Sequence, residues 1–157
     1  MVRLSDEIIQ FLHNQGCVIV STIDRFGSPH NACKGVVEIK RDGEVYLLDL
    51  YRGQTYANLK NNPKISITAI DEHRFIGYCL KGRASLIAKE RLPAQIIKAW
   101  EDKLTSRITR RVLKNIREEK GHPRHPEILL PKPEYLIRMQ VERIIDLTPH
   151  HLREREK

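Results

Sequence analysis

The sequence predicts a mainly β fold, a β-barrel with flanking helices. Between residues 17 and 88, apolar and β-branched segments alternate with turn residues, which is typical of antiparallel strands. Two glycines in the last of these segments, Gly77 and Gly82, mark positions where a strand can bulge and bend a sheet into a barrel. The segment at 134–147 is compatible with a helix or a strand on its pattern alone, and its alternating residues favour a strand that completes the barrel.

The N-terminal segment predicts a short helix over residues 5–14. Ser5 can cap its start, and Ile8, Ile9 and Leu12 lie on one helical face. Gly16 stands where such a helix would end. This helix therefore precedes the first strand.

Two β-hairpins are predicted next. A β-branched strand at 17–23 leads through a turn at 24–27 into a second strand at 30–39. The turn at 41–43 contains the Asp-Gly pair typical of hairpins, and a third strand follows at 44–50. Two consecutive hairpins imply an antiparallel meander.

After residue 50, the sequence predicts three further strands, two before residue 89 and one near the end, together with several helices. We interpret residues 1–157 as a single domain with a helical insertion at about 89–120. The remaining predicted elements are a helix at 55–61, strands at 64–70 and 75–88, helices at 92–103 and 106–119, a loop at 121–126, the strand at 134–147 and a charged tail.

The overall composition is that of a globular protein. Of the 157 residues, 40% are hydrophobic and the mean hydropathy is −0.47. No apolar run approaches the roughly 20 residues that span a bilayer. The N-terminus lacks the continuous apolar stretch of a signal peptide. We therefore expect a cytoplasmic protein without a membrane partner.

Cysteine and histidine spacing predicts neither a disulfide framework nor a metal site. The chain has an odd number of cysteines, and none of them forms a C-x-x-C pair. We therefore interpret Cys17, Cys33 and Cys79 as buried reduced thiols. The histidines at 122, 125, 150 and 151 lack acidic or cysteine partners at standard ligand spacing.

The formal charge of +8 indicates an anionic partner, and much of the positive charge lies in residues 105–124. This segment lacks interleaved aromatic residues and any DNA-reading motif, so nucleic acid is disfavoured. A solvated amphipathic face is the main interpretation. In the alternative interpretation of this segment, Arg107 or Arg111 reaches a second anionic ligand.

An anion site is predicted where the strand at 44–50 meets the helix at 55–61. Arg52 offers a planar fork of donors, and Gly53 allows the backbone to approach a ligand closely. Gln54 and Thr55 can donate hydrogen bonds, and the helix start presents free N–H groups. The alternative is an ordinary turn in which Thr55 caps the helix and Arg52 is solvated.

The order of these motifs resembles the pyridoxamine 5′-phosphate oxidase-like family of FMN-binding split barrels. The resemblance covers residues 17–88 and is carried by the turn Gly27-Ser28-Pro29, the loop and helix ending in Asn58-Leu59-Lys60-Asn61-Asn62-Pro63, and the strand containing Ile65-Ser66-Ile67. It implies a split β-barrel and a homodimer with two FMN molecules at the subunit interface.

The resemblance also implies cofactor-binding residues. Arg52, Gln54 and Thr55 would contact the FMN phosphate, although many relatives carry lysine or arginine at the position of Thr55. Asn58 would brace the helix. The second strand would run beside the flavin ring and the end of the third strand would flank the ribityl chain. The residues concerned are Asn31, Ala32, Cys33 and Lys34 in the second strand and Asp49 and Leu50 in the third.

The family's oxidase activity is not implied, because the C-terminal segment has no counterpart of its arginine-rich substrate region. Trp100, the sole tryptophan, lies in the helical insertion. The first functional hypothesis is an FMN-dependent oxidoreductase acting on a small-molecule substrate or electron acceptor. The others are a non-catalytic flavin-binding electron carrier, a protein that binds the deazaflavin F420, and a basic nucleic-acid binder. His30, His73 and Tyr78 are candidate proton donors.

Overall fold

Seven antiparallel strands form one sheet in the computed structural model, which describes residues 2–117, 130 and 132–153. Their order across the sheet is β2-β1-β5-β6-β7-β4-β3. The strands are β1 Val18–Ile23, β2 Pro29–Lys34, β3 Val36–Ile39, β4 Glu44–Asp49, β5 Lys64–Asp71, β6 Ile76–Ala88 and β7 Tyr135–Asp146. The predicted β class is therefore confirmed, and β7 is the strand expected at 134–147.

The sheet curls into a half-barrel, as the connection between β2 and β3 demonstrates. These strands are the two edges of the sheet, yet only Gly35 separates them in the chain. Because consecutive Cα atoms are about 3.8 Å apart, the two edges must approach each other there. The apolar side chains of the inner face, among them Val20, Leu47 and Ile137, fill the interior.

The predicted single strand at 30–39 and the predicted meander are wrong. The segment is two strands, because the chain leaves one edge of the sheet at Lys34 and joins the other at Val36. The hairpins β1–β2 and β3–β4 therefore lie at opposite ends of the strand order, with β5, β6 and β7 between them. The local turn residues predicted each hairpin correctly, but they did not predict which strands lie next to each hairpin in the sheet.

Gly82 lies at a bulge, as expected, whereas Gly77 lies in regular pairing. The register between β6 and β7 shifts between Lys81 and Gly82. A Cβ on Gly82 would stand 2.0 Å from the backbone oxygen of Gln140. Gly77 pairs with Ile70 without a register shift. The bend in the sheet therefore needs glycine at position 82.

The first two helices match their predictions to within one residue. Helix α1 spans Asp6–Asn14, and the Ser5 hydroxyl accepts a hydrogen bond of 3.3 Å from the Ile8 N–H. The helix packs through Ile8, Phe11 and Leu12. Helix α2 spans Gln54–Asn61. The C-terminal segment also contains a short helix, α4, at His150–Arg153, where the sequence predicted only a charged tail.

The two helices predicted at 92–103 and 106–119 are one helix. Helix α3 runs without interruption over Ala94–Ile116 because no glycine or proline stands between these positions. Its first half packs through Ile96 against Val37, Tyr46, Leu48 and Leu136. In its second half, the apolar side chains of Val112, Leu113 and Ile116 are exposed.

The cysteine prediction is correct for one thiol and wrong for two. Cys79 is buried, whereas Cys17 and Cys33 are exposed on the outer face beside β1 and β2.

In the part of the chain that the structure describes, no group of three potential metal ligands occurs. None of the described helices is both long and apolar enough to cross a membrane. The predicted loop with His122 and His125, and the basic residues Lys120 and Arg124, lie outside the described residues.

A charged cluster on the sheet surface is centred on Glu44. Its Oε2 accepts hydrogen bonds from the Tyr46 hydroxyl at 2.6 Å and the Lys40 ammonium at 3.0 Å. The Arg138 guanidinium donates to Oε1, with its Nε at 2.7 Å. The Tyr46 hydrogen bond, followed by those of Lys40 and Arg138, lowers the pKa of Glu44 to about 2 against the opposing effect of burial.

Acid is expected to remove the stabilisation that this cluster provides. Since the folded-state pKa lies below the ordinary value of 4.5, the stabilisation is complete above about pH 4.5 and is lost as pH falls toward about 2. We expect Glu44→Gln to be less stable than the wild type near neutral pH and the difference to shrink over this range. Thermal unfolding of both proteins against pH measures it. A difference that stays constant with pH would contradict the prediction.

Candidate functional site

A cavity lies under α3, where the β2–β3 connection passes the end of β4. Its volume is about 260 Å³. Residues 33–37 form one wall, residues 48–51 form another, and α3 covers them. Four residues predicted as cofactor ligands line this cavity together: Cys33, Lys34, Asp49 and Leu50. Because Gly35 connects the two sheet edges here, the fold brings together segments that no local pattern would join.

Asp49 organises the floor of this cavity. Its side chain is largely buried, and Oδ2 accepts hydrogen bonds from the Lys34 ammonium and the Tyr135 hydroxyl, each at 2.5 Å. Burial raises the pKa of Tyr135, and the hydrogen bond to Asp49 raises it further, so the phenol remains a donor. The charge of Lys34 is therefore already neutralised by Asp49 within the protein.

Helix α3 contributes two cations to the same cavity. Lys103 and Arg107 are half-buried and lie four residues apart, so they share one helical face. The Lys103 ammonium donates a hydrogen bond to the Val36 carbonyl. Burial lowers the pKa of Lys103, and the charge of Arg107 adds to this effect. Neither side chain forms an ion pair with any residue that the structure describes.

The cavity is therefore suited to an anion. Lys34, Lys103 and Arg107 supply three positive charges, against the single carboxylate of Asp49. A half-buried cation without a counter-ion is costly, and a bound anion would relieve that cost. The aromatic ring of Trp100 also lines the cavity and offers an apolar contact for a ligand.

The predicted phosphate loop lies beside this cavity rather than in its lining. Arg52 is exposed, with its Nε 3.9 Å from the Glu134 carboxylate and its guanidinium 5.5 Å from the Tyr56 ring centre. Gly53 occupies the cap position of α2, and no side chain caps the helix. The first-turn N–H groups are thus without a side-chain cap, as an anion site requires.

Gln54 and Thr55 have different surroundings from each other. The Gln54 amide donates to the Asn58 side-chain oxygen at 2.7 Å, and Gln54 lines a separate cleft of about 540 Å³ together with His30. Thr55 is buried and is not the helix cap. Asn58 is buried too, and donates to the Thr22 hydroxyl at 3.0 Å, so it ties α2 to β1.

A continuous series of side-chain contacts connects the loop to the cavity floor. The Arg52 guanidinium lies over Tyr56, and the Tyr56 and Tyr135 ring centres are 4.8 Å apart. Tyr135 in turn donates to Asp49. The loop and the cavity are therefore neighbouring parts of one surface, although they do not form a single described pocket.

The other predicted residues are farther from the cavity. Asn31 is exposed on β2, where its Oδ1 accepts a 2.6 Å hydrogen bond from Ser21. Ala32 is half-buried and does not line the cavity. Among the candidate proton donors, His73 is exposed and the Tyr78 hydroxyl donates to Glu7 at 3.1 Å. His30, His73 and Tyr78 are all absent from the cavity lining.

Sequence reasoning missed Lys103, Trp100 and Tyr135 as parts of this site. The spacing of Lys103 and Arg107 is a usable signal only when α3 is read as one helix, because both then project toward one side. Tyr135 was recognised only as a strand residue. Its contact with Asp49 joins residues 86 positions apart, which no local pattern contains.

The profile of a family described as pyridoxamine 5′-phosphate oxidase matches residues 4–130. No curated protein matches the chain.

Solved structures share the fold. HupZ from Group A Streptococcus is 21% identical, with 92% of this chain and 95% of that chain covered and a TM-score of 0.62. HutZ, described as a heme storage protein from Vibrio cholerae, is 20% identical over 92% and 94% of the two chains, with a TM-score of 0.54. A structure named F420 reductase is 11% identical over 90% and 98%, with a TM-score of 0.56. At these identities the likeness supports the fold alone.

Proposed function

The chain belongs to the pyridoxamine 5′-phosphate oxidase family, and on that premise we propose that it is an FMN-binding oxidoreductase. Its reaction would transfer a hydride or electrons between a reductant and a small acceptor. One observation carries the proposal: the cavity lined by Cys33, Lys34, Asp49 and Leu50 has an excess of positive charge and lies next to the uncapped start of α2. A flavin nucleotide has matching chemistry, with a flat ring, a polar ribityl chain and a phosphate.

The residues present are compatible with FMN in two regions. The phosphate would lie at the start of α2, where Arg52 supplies the positive charge and the first-turn N–H groups supply hydrogen bonds. The ring would lie against the β2–β3 connection, and Asp49 and Leu50 would flank the ribityl chain. When bound, FMN supplies the redox chemistry, and the protein supplies binding, orientation and exclusion of water.

A second copy of the chain would complete the site. A cavity of about 260 Å³ is smaller than the roughly 300–1,000 Å³ typical of sites for ligands of this size. The exposed apolar residues Val112, Leu113 and Ile116 on α3 are a candidate surface for such an association. We therefore propose a homodimer whose two subunits together enclose the flavin.

Arg52→Ala is expected to weaken FMN binding by about 10- to 100-fold, since it removes a charge-assisted hydrogen bond of about 1.5–3 kcal/mol. Titration of the purified protein with FMN, followed by flavin fluorescence, measures the affinity. Arg41→Ala is the matched control, because Arg41 is an exposed arginine paired with Asp6 away from the cavity. Unchanged affinity in Arg52→Ala would rule out this phosphate site. A loss confined to Arg107→Ala would move the phosphate to α3.

Parallel titrations separate the alternative ligands. The F420 reductase and HutZ comparisons make F420 and heme the ligands to test beside FMN. Tighter binding of either ligand than of FMN would contradict the FMN assignment. With FMN bound, reduction by NADH or NADPH and turnover of an added acceptor would support an enzyme. Reduction without turnover would support the electron carrier.

A further inference from the structure

Two exposed cysteines stand side by side on the outer face of the sheet. Cys33 lies in β2 opposite Ile19 of β1, and Cys17 precedes Ile19 by two residues. Because side chains alternate along a strand, Cys17 and Cys33 project from the same face, diagonal to each other across the β1–β2 pair. Both are exposed, whereas Cys79, the third cysteine, is buried.

The two thiols also influence each other electrostatically. The Cys33 thiol and the Arg107 guanidinium both lie close enough to Cys17 to act on its charge. Partial desolvation raises the pKa of Cys17, the neighbouring Cys33 adds to the rise, and Arg107 opposes it.

The backbone around Cys17 has room for the adjustment that a covalent bond requires. A disulfide needs Cα atoms about 4.4–6.8 Å apart, slightly closer than the roughly 7–8 Å of diagonal neighbours in a flat ladder. Cys17 lies one residue before β1 begins and follows Gly16, which has no neighbouring atom within 4 Å of a Cβ position. A small shift at residues 16–17 therefore leaves the β1–β2 hydrogen bonds intact.

We propose that Cys17 and Cys33 form a reversible intramolecular disulfide under oxidation by a peroxide. One thiolate attacks a peroxide oxygen to give a sulfenic acid, with hydroxide leaving and taking a proton to become water. The second thiol then attacks that sulfur, forming the S–S bond and releasing a second water molecule. Overall, two thiols are oxidised by two electrons, and one hydrogen peroxide is reduced to two waters. Because Cys33 also lines the cavity, the bond would form at the edge of the candidate site.

The experiment counts alkylatable thiols after hydrogen peroxide treatment of the whole protein. We expect that of the three cysteines only Cys79 is alkylated in the subsequently unfolded protein, and that dithiothreitol restores all three. Peptide mapping should recover residues 17 and 33 in one linked fragment. Cys17→Ser and Cys33→Ser should each abolish the linked fragment. Cys79→Ser, the matched control, should retain it.

Three results would overturn the proposal. The first is that all three thiols remain alkylatable after peroxide has oxidised a free-thiol standard under the same conditions. The second is a bond between two chains, seen as a covalent dimer on non-reducing gels. The third is oxidation of Cys33 to a sulfinic acid without linkage to Cys17. The measurement needs no bound flavin, so its outcome is independent of the proposed function.

Discussion

Asp49→Ala is expected to lower the free energy of unfolding by about 3–5 kcal/mol, the usual cost of removing one partner of a buried ion pair. The Lys34 and Asp49 side chains are each only 10% exposed, so the remaining Lys34 ammonium would lack both its counter-ion and full access to water. The Tyr135 hydroxyl would lose its acceptor as well. Urea denaturation of the two proteins measures the difference.

A double variant separates the cost of an unpaired charge from the value of the pair. We expect Lys34→Met combined with Asp49→Leu to recover stability to within about 1–2 kcal/mol of the wild type, because replacing both charges by apolar groups is often nearly neutral. The double variant also permits an FMN titration in a folded protein without the pair. A loss below about 1 kcal/mol in Asp49→Ala would mean that water reaches Lys34 freely, contrary to the structure.

Gly82→Ala is expected to destabilise the protein by about 3 kcal/mol or more, through overpacking in the sheet. The added Cβ would lie 2.0 Å from the Gln140 oxygen and 2.9 Å from the Gln140 carbonyl carbon. Both are backbone atoms, so β6 and β7 would have to separate at the bulge. Thermal unfolding measures the effect, and poor soluble expression of the variant would have the same cause.

Gly16→Ala is the matched control for this substitution. Nothing lies within 4 Å of a Cβ at Gly16, and its φ is not positive, so alanine fits without strain. We expect the control to unfold close to the wild-type temperature. A Gly82→Ala protein that unfolds within about 2 °C of the wild type would contradict the close approach of β6 and β7.

The candidate site shows which features can be predicted from residues that are close together in the chain. The loop at 52–55 was predicted because its residue types and the following helix are contiguous in the chain. The structure has that helix at Gln54–Asn61, with Gly53 at its cap position. The cavity was not predictable in the same way. It needs the chain to cross between sheet edges at Gly35, and it needs α3 to be one helix that carries both Lys103 and Arg107.

Local sequence patterns were enough to predict the class of fold, the capped helix after Ser5 and helix α2, and they favoured a strand for β7. Each of these depends on periodicity and end signals among residues near one another in the chain. The folded structure was needed to show that β2 and β3 are separate strands, that Cys17 and Cys33 are exposed neighbours, and that Tyr135 and Lys34 share Asp49. The physical reason is that alternation reveals which side chains share a face of a strand. It carries no information about which strand lies next to that face.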